Sequence, residues 1–191
     1  MKADDVKANA SSDDACVLVV MGVSGSGKST IGAMLAHRLH WLYEDGDWFH
    51  PKRNIEKMHH GEPLTDEDRW PWLHAIADWI DATRHSGNHG IVACSALKRS
   101  YRQILIGDRR DVRLVYLKGD QDLIERRVAA RADHFMPPAL LDSQFAALEE
   151  PAADERPITI LVAPHPREIV EAIVKQLNIG EVVGAEADRR P

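Results

Sequence analysis

Val17-Leu18-Val19-Val20-Met21-Gly22-Val23-Ser24-Gly25-Ser26-Gly27-Lys28-Ser29 is the stretch from which the rest of the chain can be read. Its first five residues form an unbroken apolar run with three valines, the pattern of a short buried strand. The next eight spell G-x-x-x-x-G-K-S, the phosphate-binding P-loop. A helical pattern from Ile31 to Leu39 follows. Strand, glycine loop and helix in this order separate a working P-loop from a Gly/Ser-rich turn without a ligand. The glycines permit tight backbone geometry, so successive N–H groups point inward at phosphate, and the helix that begins here adds its positive end. Gly22, Val23, Ser24, Gly25, Ser26, Gly27, Lys28, Ser29 and Thr30 are therefore the expected ATP-binding residues. Lys28 reaches the β- and γ-phosphates, and the Ser29 hydroxyl is a Mg²⁺ ligand. The chain is expected to bind a nucleoside triphosphate.

Outward from this loop, apolar β-branched runs alternate with helical segments. Val17–Met21, Leu42–Glu44, Gly90–Cys94, Val112–Leu117 and Ile158–Val162 read as strands. Lys28–Leu39, Pro51–His60, Thr65–His85, Lys98–Leu105, Asp120 to about Arg131, Ala139–Leu148 and Pro166–Leu177 read as helices. Thr65 suits an N-cap, with Asp66, Glu67 and Asp68 in the first turn behind it. Trp72, Ile76, Trp79 and Ile80 recur at helical spacing, which indicates core packing rather than an aromatic ligand box. Pro137-Pro138 interrupts the helix that follows strand four. Such alternation implies a parallel sheet covered on both faces, of the α/β class. Residues 1–14 read as a flexible extension, 15–179 as one domain and 180–191 as a flexible tail. There is no internal repeat and no low-complexity tract.

Composition narrows the partners. The 191 residues suit one domain with a proper core. A net charge of −6 argues against a nucleic-acid binder. No apolar run is long enough to span a bilayer, so no membrane partner is expected. Met1 to Ala15 resembles neither a signal peptide nor an Arg-rich transit peptide. The two cysteines, Cys16 and Cys94, lack metal-ligand spacing and read as small core hydrophobes, which fits a reducing, cytoplasmic setting.

In sheets of this kind ligands sit beyond the carboxyl ends of the strands, so the residues just after each strand carry the chemistry. After strand two comes Asp45-Gly46-Asp47. One of these carboxylates can serve as a hard oxygen ligand to Mg²⁺, and the other can accept a proton from an attacking hydroxyl. No strand ends in a second metal-binding aspartate: strand three runs into Cys94-Ser95-Ala96 and strand four into Lys118-Gly119-Asp120. The Asp45/Asp47 pair is thus the expected source of the metal-linked carboxylate, with the two roles interchangeable on this reasoning.

The residues from here onward carry a resemblance. Asp45-Gly46-Asp47-x-x-His50-Pro51-x-x-Asn54-x-x-Lys57-Met58-x-x-Gly61-x-Pro63-Leu64-x-Asp66-x-Asp68-Arg69-x-Pro71-Trp72-Leu73 resembles the signature stretch of gluconokinases. The likeness continues in Cys94-Ser95-Ala96-Leu97-Lys98-x-x-Tyr101-Arg102, Val115-Tyr116-Leu117-Lys118-Gly119, Ile124-Glu125-x-Arg127, Ala130-Arg131-x-x-His134-Phe135 and Gln144-Phe145. It covers residues 17 to about 150. The resemblance implies a P-loop kinase three-layer sandwich related to shikimate kinase. Its five-stranded parallel sheet would have order 2-3-1-4-5, with a helical lid over roughly 127–145. It also implies Mg-ATP as donor and D-gluconate as acceptor, phosphorylated on its 6-hydroxyl; a homodimer is left open. By likeness to shikimate kinase, Asp47 falls to the acceptor hydroxyl and Asp45 to the Mg²⁺ shell.

Gluconate needs a cation for its carboxylate and polar groups for its hydroxyls. His50, Arg53, Asn54, Lys57 and Arg102 supply that mixture, and the two arginines suit the carboxylate because a guanidinium binds it bidentately. His59 and His60 read as surface residues. In the lid, Arg127 and Arg131 lie four apart on one helical face. Arg131 is the expected catalytic arginine over the transferring phosphoryl, beside Lys28 and Asp47, and Arg127 is expected on adenine or phosphate. Arg126 reads as solvated, and His134 as a phosphate contact or a lid-structuring residue. Glu149 to Pro157 and strand five are less family-like in detail, and Pro164-His165-Pro166 is unusual before the last helix, which leaves the adenine contacts open. A kinase for another small acceptor and a nucleotide-binding switch without an acceptor are the competing readings. The second would leave the Asp45/Asp47 pair and the acceptor-side cations without purpose.

Overall fold

In the computed structural model, which describes residues 17–130 and 138–178, every residue of Val17–Met21 is 0% exposed. The run is apolar at both alternations because the strand it forms, β1 (Val17–Met21), is central and covered on both faces. Leu18 and Val20 turn to one side, where they join Ile31 and Leu35 of α1 (Lys28–Leu39) and Ile169 and Ile173 of α7 (Pro166–Leu177). Val17, Val19 and Met21 turn to the other, against Trp72, Ile76 and Ile80 of α3 (Asp66–His85) and Tyr101 and Leu105 of α4 (Arg99–Leu105). These two clusters are the cores of a three-layer sandwich.

The sheet is wholly parallel. Its strands, β1, β2 (Leu42–Asp45), β3 (Gly90–Ala93), β4 (Val112–Lys118) and β5 (Ile158–Leu161), lie in the order β2-β3-β1-β4-β5. This is the architecture expected from the alternation and the resemblance. The remaining helices are α2 (Lys52–His59), α5 (Gln121–Ala129) and α6 (Pro138–Ala147). From β1 the chain runs through α1 to the edge strand β2, and β3 then fills the gap between them. From β3 it crosses β1 to reach β4, so the carboxyl ends of β1 and β3 flank a topological switch point. A hydrogen bond from Gly22 N to Ser95 O (3.4 Å) ties the two loops together there.

Element ends differ from expectation in small, explicable ways. β2 extends to Asp45, which pairs with Ala93. The Asp-Gly-Asp stretch then winds into a 3₁₀ turn, Gly46–Phe49, capped by the Asp45 carboxylate. Pro51 sits at the N-cap of α2 instead of inside it. A second 3₁₀ turn, Ala153–Glu155, was not foreseen. Thr65 caps α3 as expected, in a reciprocal box with Asp68. Residues 1–16 and 179–191, with Cys16, lie outside the described residues, as do Arg131, His134 and the middle of the expected lid, 131–137.

Candidate active site

Gly22 opens the loop with φ of +148°, and a Cβ there would sit 2.8 Å from Leu117 O, so only glycine fits. Gly27, also left-handed, is the N-cap of α1, and the first turn of that helix carries no carboxylate. The N–H groups of its first turn and the helix dipole form an anion seat. Lys28 folds back over the loop, its Nζ donating to Val23 O (3.0 Å).

Beside this seat the Ser29 Oγ donates to Asp45 Oδ2 at 2.6 Å. The other carboxylate oxygen, Oδ1, accepts from Asp47 N (3.1 Å). Tyr43, which sequence reasoning passed over, hydrogen-bonds from its hydroxyl to Ser29 O and to Asp45 Oδ2, both at 3.3 Å. Burial, then the Asp45 charge, pushes the Tyr43 hydroxyl up to about 12, so it is a donor throughout the physiological range. Its ring rests on α1 where Gly32 leaves room: a Cβ there would meet the ring at 2.7 Å. An aromatic residue two before the first aspartate and a glycine four after the lysine were the available signals.

The Asp47 side is shaped by a close approach. Gly46 is buried, and a Cβ on it would lie 2.5 Å from Ala93 O, so Asp-Gly-Asp can bend onto β3 only with glycine in the middle. Trp72 Nε1 donates to Gly46 O (2.6 Å) from α3, and the His50 ring stacks on Trp72 with centroids 4.2 Å apart. Burial, then the nearby Arg69 charge, lowers His50 to about 4. His50 is therefore neutral at physiological pH and offers hydrogen bonds, not charge. Asp47 itself is exposed at the rim of this wall.

Several expected acceptor ligands are placed elsewhere. Arg102 is 1% exposed. Its Nε and Nη2 hold the Glu155 carboxylate at 2.5 and 2.9 Å, while Nη1 donates to Ala96 O, Leu97 O and Glu149 O. It is a buried staple between the loop after β3 and the segment before β5, not a substrate ligand. Asn54 is fully buried and donates to Asp68 O (2.8 Å). Lys57 is paired with Asp68 at 2.7 Å. Lys57 first, then the Thr65 backbone N–H, draws the Asp68 carboxyl down to about 2. Asn54 and Lys57 thus fasten α2 to the start of α3. Of the expected set, His50 and Arg53 remain open to a ligand. Arg53 is exposed, with no hydrogen bond or ion pair among the described residues.

Two other cations stand on the same side. Lys98, at the end of the loop after β3, donates to both Asp66 oxygens (2.8 Å). Arg69 donates to Leu64 O and lies near Asp66 and Tyr101. Position after a strand end was a signal for Lys98, overridden by the greater attraction of an arginine one turn later. Cys94 is buried, and burial pushes its thiol up to about 12, so it is no nucleophile.

On the opposite flank of the P-loop lies a cavity of about 330 Å³, lined by Gly25, Ser26, Thr30, Arg127, Pro166 and Ile169 among others. Arg127 donates to Val162 O (2.6 Å), which joins α5 to the loop after β5. The departure at Pro164-His165-Pro166 therefore borders this cavity without closing it, and His165 caps α7 through Nδ1.

The donor set suits Mg²⁺: a serine hydroxyl and one carboxylate at 2.6 Å, next to an anion seat that would bring phosphate oxygens. Among the described residues no group of three or more His, Cys, Asp or Glu is placed to hold a metal ion.

Comparison with known proteins follows the same lines. A family model described as an AAA domain matches residues 17–151. The thermoresistant gluconokinase of Escherichia coli K12 is 44% identical over 166 residues, covering 86% of this chain and 95% of that protein. The crystal structure of a gluconokinase from Sinorhizobium meliloti 1021 superimposes with a TM-score of 0.78 at 41% identity, covering 86% of this chain and 92% of that one. A shikimate kinase from Bacteroides thetaiotaomicron, 16% identical with a TM-score of 0.62 over 84% of this chain and 97% of its own, shares the fold alone.

Proposed function

The chain belongs to the gluconokinase family of P-loop proteins, and from that premise we propose that it phosphorylates D-gluconate on the 6-hydroxyl with ATP, giving 6-phosphogluconate and ADP. The observation that carries the reading is the contact of Ser29 Oγ with Asp45 Oδ2 at 2.6 Å, with Asp47 held to the same carboxylate by its backbone N–H. This contact supports a reading in which Ser29 and Asp45 are the metal-binding pair and Asp47, beside them, is the proton acceptor.

In this reaction Lys28 and the loop N–H groups other than those of Gly22, Ser24 and Ser26, which bond within the protein, hold the triphosphate, whose adenine enters the cavity beside Arg127. Ser29 and Asp45 would hold Mg²⁺, which would supply charge neutralisation to the phosphates. Asp47 orients the 6-hydroxyl in line with the γ-phosphorus and takes its proton as the new P–O bond forms. The bond from the γ-phosphorus to the β–γ bridging oxygen breaks, and ADP leaves. Neutral His50 meets a gluconate hydroxyl. Arg53 and Arg69 are the cations for its carboxylate, in place of Arg102. Arg131, in the segment beyond the described residues, is the cation for the transferring group.

The partners are small molecules; no described helix is long and apolar enough to cross a membrane. The test is ADP release from Mg-ATP with D-gluconate, with shikimate and with no acceptor, repeated for Asp47→Asn. Gluconate-dependent turnover that falls at least a hundredfold in the variant is expected, on the order of a lost general base. Release of ADP indifferent to gluconate would sink the substrate assignment.

A further inference from the structure

Gln144 lies 120 residues from the P-loop in sequence, yet its Oε1 accepts a hydrogen bond from Ser24 N at 2.7 Å. Leu141, Gln144 and Phe145 occupy positions i, i+3 and i+4 of α6 and so share one face. Leu141 is 2% exposed and Phe145 packs against the same core, so this face is pinned to the body of the protein. The helix then leads to Glu149, whose backbone N–H donates to Leu97 O in the loop after β3. Gln144 is thereby fixed between the P-loop and the acceptor side.

Its orientation follows from chemistry. The partner is a backbone N–H, which only donates, so the carboxamide oxygen must face Ser24 and the NH₂ must face away. That Nε2 makes no hydrogen bond among the described residues. Among the described residues it is a double donor left over beside an anion seat.

The position along the seat is also defined. Gly25, Ser26 and Thr30 line the cavity on one flank. The start of the loop is instead tied to Ser95 O, and Lys28 Nζ rests on Val23 O, next to Ser24. With its base in that cavity, a triphosphate would extend its chain along the loop in the direction of Ser24.

We infer that Gln144 is a further phosphate-binding catalytic residue, anchored through Oε1 to Ser24 N–H and donating from Nε2 to the phosphoryl group in transfer. The inference rests on the reading of the P-loop as the ATP seat. Gln144→Glu separates the two ends of the side chain: a carboxylate still accepts from Ser24 N–H, but it replaces the donor with negative charge. Gln144→Met removes both functions at similar size.

Each variant is compared with the wild type in gluconate-dependent ADP release, in calorimetric affinity for ATP and for ADP, and in thermal melting. A hydrogen bond to a charged group corresponds to about ten- to hundredfold. A fall of that size in kcat is expected for both variants, and in Gln144→Glu the affinity for ATP drops more than that for ADP. A Gln144→Glu protein with wild-type kcat and an unchanged ATP-to-ADP affinity ratio would overturn the inference, leaving Gln144 a tether. If Gln144→Glu does not fold, Gln144→Met decides: wild-type turnover, or reduced kcat with an unchanged ATP-to-ADP affinity ratio, overturns the role, and reduced kcat with normal melting and ATP affinity lowered more than ADP affinity supports it. Failure of the wild type to use gluconate would count against the proposed reaction, while the affinity ratio would still report on Gln144.

Discussion

Arg102→Met is the perturbation that most cleanly separates the tertiary structure from the expectation raised by sequence. The side chain is 1% exposed and its partner Glu155 13% exposed, so the substitution leaves a carboxylate largely desolvated and without its bidentate counter-ion. It also removes the donor shared by Ala96 O, Leu97 O and Glu149 O. Removing one member of a buried pair costs about 3–5 kcal/mol. For a chain of this size that corresponds to a melting point lowered by roughly 6–20 °C. Glu155 also accepts from Ala152 N (3.0 Å), which glutamine can do equally well. Arg102→Met with Glu155→Gln therefore removes the stranded charge, keeps the turn and recovers a good part of the loss. The assay is thermal and urea unfolding of the wild type and both variants, alongside KM for gluconate measured well below the melting points. The expected result is a large stability change with KM within about threefold, since a side chain buried on Glu155 makes no contact of its own with the ligand. An Arg102→Met protein of unchanged stability with a KM for gluconate raised tenfold or more would refute the structural assignment and restore Arg102 as a carboxylate ligand.

Gly22→Ala is expected to abolish ATP binding and lower the melting point, because its Cβ meets Leu117 O at 2.8 Å on a backbone of positive φ; calorimetry with ATP checks it. Tyr43→Phe removes a long hydrogen bond to Asp45, so the Mg²⁺ concentration for half-maximal rate rises about two- to threefold with kcat at saturation preserved, as a Mg²⁺ titration would read. His50, held near 4 in the folded chain against about 6.5 when unfolded, contributes full stability above pH 6.5 and loses it as pH falls toward 4. Over that window His50→Asn is expected to flatten the decline of urea stability. Asp68 and Asp81, the second held by Arg109 (2.6 Å) and Arg84 (2.8 Å), are both drawn down to about 2 and act only below the ordinary aspartate range, so a separate loss below pH 4 persists in that variant.

The fold was legible in the sequence because its signals are local. The apolar run Val17–Met21, the glycines after it, the Thr65 cap with its three acids and the spacing of Trp72, Ile76 and Ile80 each constrain a few adjacent residues, and each is realised where expected. The phosphate-binding loop was legible for the same reason, whereas the sequence left Asp45 and Asp47 interchangeable and the contact of Ser29 with Asp45 came from the fold. The first lies within a single loop, and the contact joins the ends of two neighbouring elements.

What only the tertiary structure decided is which polar side chains are spent on the protein itself. Arg53, Lys57 and Arg102 are alike as cations near strand ends, yet Arg53 is exposed, Lys57 is paired with Asp68 and Arg102 is buried on Glu155, 53 residues away. Gln144 is an ordinary polar residue in its own helix and acquires a role only through Ser24, 120 residues back. Backbone conformation is set largely by neighbours in the chain, whereas the availability of a charge or a carboxamide depends on desolvation and on partners that folding delivers from a distance.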